Sequence, residues 1–100
     1  MEKMHIMIVE DDETLAREIK DFLMRWGYYA VIATHFENIA EDFYNYKPHL
    51  ILMDINLPYY DGFYWCTQIR NTSQVPLIFI SSRNDDHDKI MSISHFIWNC

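Results

Sequence analysis

Two neighbouring acids, Glu10 and Asp11, directly follow the apolar run Ile6-Met7-Ile8-Val9. A third acid, Asp54, directly follows Leu50-Ile51-Leu52-Met53, and a hydroxyl, Ser81, directly follows Leu77-Ile78-Phe79-Ile80. Carboxylates gathered on one rim repel. Two unit charges ~4 Å apart cost about 4 kcal/mol at an effective dielectric near 20, so either one carboxyl keeps a proton or a cation sits among them. Hard oxygen donors with no His or Cys at matching spacing suit Mg²⁺, which retains several of its waters. A carboxylate beside such an ion can act as a nucleophile toward phosphorus and form an aspartyl phosphate. The metal and a hydroxyl or ammonium group would then neutralise the phosphoryl oxygens. The bland alternative is structural: Asp54 starts a turn that Pro58 and Gly62 continue, and the acids after Val9 belong to a helix start.

For these residues to meet, the runs before them must be neighbouring strands. Residues 50–53 are uniformly apolar, as expected of a strand buried on both faces in a parallel sheet. Residues 5–9 read as the first strand, and Asp12 or Thr14 as the cap of a helix. Leu15, Ile19, Phe22, Leu23 and Trp26 recur at helical spacing, and Gly27 is placed to stop that helix. Residues 28–34 are aromatic and β-branched, which predicts strand two. Residues 36–46 predict a second helix, closed off by Pro48. A third helix is predicted over 63–70, a fourth strand over 75–80, and the start of a fourth helix over 86–93. Strands alternating with helices imply a parallel sheet with right-handed crossovers and helices on both faces. The ends of strands one, three and four then share one rim, where open α/β sheets place their chemistry.

Composition bounds what such a rim can serve. One hundred residues allow a single small domain, and a chain that is 50% hydrophobic and 16% aromatic is not disordered. A formal net charge of -7 argues against direct nucleic-acid binding. No apolar run is long enough to insert in a membrane, and the first residues lack a signal-peptide core. Two cysteines, Cys66 and Cys100, make no disulfide framework, and a reducing cytoplasm is the expected compartment.

Three motifs together resemble the receiver domain of bacterial two-component response regulators. They are Ile8-Val9-Glu10-Asp11-Asp12, then Leu52-Met53-Asp54 with Leu57-Pro58 and Asp61-Gly62, then Ile80-Ser81-Ser82-Arg83. The resemblance runs from about residue 3 to residue 91. It implies a flavodoxin-like doubly wound sheet of strand order 2-1-3-4. It further implies that Asp54 is the phosphoacceptor and that Ser81 contacts the phosphoryl group. Glu10, Asp11, Asp54 and the backbone carbonyl of Asn56 would bind Mg²⁺. The donor would be a phosphohistidine on a sensor histidine kinase. The chain would be a self-phosphorylating signalling domain rather than a turnover enzyme, serving in its parent protein to regulate transcription. Trp26-Gly27-Tyr28, Pro48-His49-Leu50, Gly62-Phe63-Tyr64-Trp65-Cys66 and Phe79-Ile80-Ser81-Ser82-Arg83 are similar to winged-helix regulators paired with sensors of peptide antibiotics.

The chain departs from this pattern after Met91. The family continues with a Gly-Ala-Asp-Asp stretch, a fifth strand, a Lys-Pro pair and a fifth helix. Here Ser92-Ile93-Ser94-His95-Phe96-Ile97-Trp98-Asn99-Cys100 follows instead, and Lys89 sits inside the fourth-helix segment. The expectation is a receiver over 1–91, a divergent tail over 92–100, no fifth strand or helix, and no DNA-binding domain. Strand four would become an exposed apolar edge, and helix one would keep apolar area on Leu15, Ile19 or Phe22 uncovered. The site would lack one positive charge, a loss typically of ~3 kcal/mol in barrier. Marginal stability with homodimerisation or strand exchange follows, unless Phe96-Ile97-Trp98 folds back over strand four. The alternative function is a non-switching remnant or interaction module that lacks phosphotransfer. An Asp-x-Asp phosphatase is disfavoured because position 56 is Asn. The five histidines share no ligand spacing and read as surface or packing residues. Cys66 reads as a packing residue of helix three, and Tyr64 and Trp65 as surface aromatics.

Overall fold

The computed structural model describes residues 3–80, the backbone of 93–96, and residue 100. Its first strand, β1 (His5–Val9), lies centrally because every residue but the first is buried. β2 (Tyr29–Ile32) pairs with one side of it and β3 (Leu50–Asp54) with the other, both parallel, and β4 (Leu77–Ile80) continues parallel from β3. The order β2-β1-β3-β4 is the one expected. The register sets Val9 opposite Met53 and Asp54 opposite Ile80, so the residues that follow each strand emerge at one end of the sheet.

The helices close the two faces. α1 (Glu13–Arg25) starts at Asp12, whose carboxylate accepts the Leu15 N–H at 3.1 Å, and ends before Gly27, which takes φ +94°. Its Ala16, with Ile19 and Leu23, packs on Ile8, Ala30 and Ile32. α2 (Ile39–Tyr46) and α3 (Gly62–Arg70) cover the opposite face, where Ile39, Phe43, Trp65, Cys66 and Ile69 meet Met7, Ile51, Met53, Leu77 and Phe79. α2 begins three residues later than its apolar spacing predicts. Asn38 caps it by accepting the Glu41 N–H, leaving the preceding residues as a loop. β4 begins two residues late, after Pro76, which has no N–H to give a ladder. Its carbonyl still accepts the Ile51 N–H at 3.0 Å.

Several expectations change. Where the fifth strand is expected to be missing, β5 (Ile93–Phe96) lies antiparallel against β4, pairing Phe79 with His95. The β4 edge is therefore paired, and the physical ground for strand exchange there is gone. Of the α1 residues expected to stand uncovered, Leu15 is buried while Phe22 is 55% exposed. Trp26, expected on the apolar stripe, is 70% exposed because it follows the last turn of the helix. Trp65 is a core residue at 4% exposure rather than a surface aromatic. Cys66 does pack on the core, and it is also disulfide-paired with Cys100, Cα atoms 5.8 Å apart. The expected fourth helix lies outside the described residues, apart from Ile93, which belongs to β5.

Candidate phosphoacceptor and metal site

The sheet assembles the acids that the sequence singles out. Glu10 follows the last residue of β1 and is fully buried; Asp11 follows it and is exposed; Asp54 closes β3 and is fully buried. One oxygen from each lies within 4.8 Å of the others. Asn56 follows in the β3–α3 turn and donates its N–H to Asp54 Oδ1 at 3.3 Å, fixing that carboxylate's orientation. Ser81 and Lys89 lie outside the described residues.

The electrostatics of the group centre on Glu10. Its Oε2 accepts the Asp12 N–H at 2.9 Å. Its Oε1 is buried and has no hydrogen-bond donor among the described residues. Burial, opposed by the Asp12 hydrogen bond and reinforced by the nearby charges of Asp54 and Asp11, raises its pKa from 4.5 to about 8. Two carboxyl groups facing each other with no donor between them form a hydrogen bond only when one carries a proton. A bound cation satisfies the same oxygen without one. The donor set, three carboxylates and no nitrogen or sulfur, fits a hard divalent ion such as Mg²⁺. Beside the acids a cleft of about 390 Å³ opens, lined by Glu10, Asp11, Glu13, Arg17, Thr34 and Phe36 among others.

Comparison with known proteins identifies the family. A family model described as the response regulator receiver domain matches residues 6–98. The chain belongs to that family. Among curated proteins, the receiver is 48% identical over 88 residues to the sensory transduction protein BceR of Halalkalibacterium halodurans, covering 88% of this chain and 38% of that one. It is 42% identical over 90 residues to the response regulator protein GraR of Staphylococcus epidermidis, covering 90% and 40%. It thus spans about two fifths of the length of these relatives. Among solved structures, the N-terminal domain of the nisin resistance regulator NsrR, a lantibiotic response regulator, superposes with a TM-score of 0.74 at 42% identity, covering 90% of this chain and 76% of that one. The BeF3-activated receiver domain of Klebsiella pneumoniae RstA also gives 0.74, at 31% identity, covering 88% and 75%. The fold and the two-component family are therefore as the motifs imply. No helix among the described residues is long and apolar enough to cross a membrane.

Two features of the receiver escape sequence reasoning. Asp42, on the buried side of α2, is 1% exposed and accepts the backbone N–H groups of Thr34 and His35 at 3.0 and 2.9 Å. It also pairs with His35 Nδ1 at 2.8 Å, so it ties the β2–α2 loop that borders the cleft. Its signal was positional: an acid three residues after Ile39 and next to Phe43 stands at the edge of the apolar stripe of α2. The second feature is an aromatic cluster on the β3–α3 turn. Tyr60 and Tyr64 stack at 4.3 Å, and each meets Trp65 nearly edge-on.

Proposed function

We propose that this receiver accepts a phosphoryl group on Asp54 from the phosphohistidine of a sensor histidine kinase. Glu10, Asp11, Asp54 and the Asn56 carbonyl would hold Mg²⁺. The observation that carries the reading is the convergence of three carboxylates from the ends of β1 and β3, two of them fully buried. An Asp54 carboxylate oxygen bonds to phosphorus as the phosphorus–nitrogen bond of the donor breaks, and the imidazole nitrogen leaves with the bonding pair. The bound ion would supply neutralisation of the phosphoryl oxygens. The chain's own part is orientation and charge. The Asn56 N–H holds Asp54 Oδ1, and the Asp12 N–H holds Glu10 at its side. Ser81, next in sequence after Ile80, is the hydroxyl proposed to contact the transferred group. Relatives described as transcriptional regulatory proteins support control of transcription as the purpose of this step in the parent protein, and a cytoplasmic site of action is proposed with it.

The test is incubation with a small phosphoramidate donor and Mg²⁺, read by intact mass and by acid- and base-labile label. The wild-type chain gains one phosphoryl group and Asp54→Asn gains none. No label on the wild type favours the non-switching interaction module, and label retained on Asp54→Asn excludes Asp54 as acceptor.

A further inference from the structure

Helix α3 meets the end of β3 at a point where only glycine fits. A Cβ built on Gly62 would fall inside the van der Waals envelope of the Asp54 carbonyl oxygen, 3.0 Å from Met53 Cγ and 3.2 Å from the Asp54 carbonyl carbon. The Gly62 N–H also donates to the Ile55 carbonyl at 2.9 Å. One residue earlier, Asp61 caps α3 through the Tyr64 N–H at 2.8 Å. Thus the backbone on both sides of the Asp54–Ile55 peptide is fixed by the first turn of the helix, at the residue whose carboxylate joins Glu10 and Asp11. The atoms nearest such a Cβ are the Asp54 backbone carbonyl and the Met53 side chain, not carboxylate oxygens.

From this geometry we infer that Gly62 is a positioning residue for the acidic site: its bare Cα sets where β3 ends and so where the Asp54 carboxylate stands. The inference rests on the proposed Mg²⁺ site. Relieving the overlap with a rigid carbonyl requires the strand end or the helix to move by more than about 0.5 Å, which is the tolerance of a working ligand constellation. Mg²⁺ is unforgiving in this respect because it demands near-octahedral geometry. Met53 has a side chain that can rotate, but the Asp54 carbonyl is backbone at the end of β3, which is held by the pairing of Met53 with Val9 on one side and of Asp54 with Ile80 on the other.

The experiment is an amide NMR titration with Mg²⁺ on the wild type, Gly62→Ala and Gly27→Ala. Gly27 has φ +94° and no neighbouring atom within 4 Å of an added Cβ, so its substitution strains a turn remote from the acids and controls for lost stability. The expected result is at least a tenfold weaker Mg²⁺ affinity for Gly62→Ala, the loss usual when a ligand's support is disturbed, with Gly27→Ala binding as the wild type does. A folded Gly62→Ala chain with unchanged affinity overturns the inference. If Gly62→Ala does not fold, the wild-type spectrum decides. The Gly62 amide must shift together with those of Asp54, Ile55 and Asn56 as the metal binds, and a stationary Gly62 amide overturns the inference. A wild-type chain that binds no Mg²⁺ overturns the metal-site reading itself, a result distinct from both.

Discussion

Replacing Glu10 with Gln isolates the charge problem at the rim. Glu10 is 1% exposed, and each pair of carboxylates within 4.8 Å repels by about 3 kcal/mol or more at an effective dielectric near 20 when both are ionised. Burial first, and then the charges of Asp54 and Asp11, keep Glu10 protonated in the folded chain up to about pH 8, whereas the unfolded chain releases that proton near its ordinary value of 4.5. Between those two values the folded state binds more protons than the unfolded state, so metal-free stability falls as pH rises through the window. A glutamine is neutral throughout. It can keep the oxygen that accepts the Asp12 N–H and turn its amide N–H toward the acids. The two proteins should be about equally stable near pH 5. Near pH 9 the Glu10→Gln chain should be the more stable by about 3 kcal/mol or more, the cost of a buried charge together with its repulsion by Asp54 and Asp11. For a chain of this length that is a difference on the order of 10–20 °C in Tm. Urea unfolding followed by far-ultraviolet circular dichroism, in the presence of a chelator, measures it. Titrations elsewhere are common to both proteins and cancel in the difference. Mg²⁺ should restore the wild type at high pH and do much less for Glu10→Gln. Parallel pH profiles for the two proteins would refute the reasoning, since they would mean that Glu10 carries no unusual charge cost.

Other consequences lie further from the acids. The hydrogen bond to Asp42, and then the charge of Asp42, raise the pKa of His35 above 6.5, while slight burial works against them. The stability from this pair is complete below the unfolded value of 6.5 and is lost as pH rises through the folded one. An NMR titration of the His35 ring should show the raised midpoint in the wild type and its return toward 6.5 in Asp42→Asn; an unmoved midpoint would discard the pairing. Asp61→Ala removes the α3 cap and should cost about 1 kcal/mol in chemical unfolding. A loss below a few tenths would mean that the Tyr64 N–H finds water instead.

The strands were legible because their burial is two-sided. Uninterrupted apolar runs such as Leu50 to Met53 have no other place in a small α/β domain, and the acids that end the β1 and β3 runs mark the rim. Glu10, Asp11 and Asp54 could accordingly be brought together on paper, and the sheet brings them together. What the sequence hid depends on where a side chain points. Asp42 and Trp65 look like surface residues because one is charged and the other sits among exposed tyrosines, yet helix phase turns both inward. Leu15 seems to need a missing helix, yet it is buried. The Cys66 and Cys100 pair joins residues 34 apart, a separation with no spacing signature. The antiparallel β5 was the hardest to foresee. Ile93-Ser94-His95-Phe96 continues a stretch with helical spacing, and its pairing is decided by the open edge of β4 rather than by its own pattern. Family motifs describe how the rim is built, and they are silent about how a departing tail closes the sheet. In this receiver the strand edge is met by residues outside the motifs, so the Asp54 rim and the β5 edge can be altered separately.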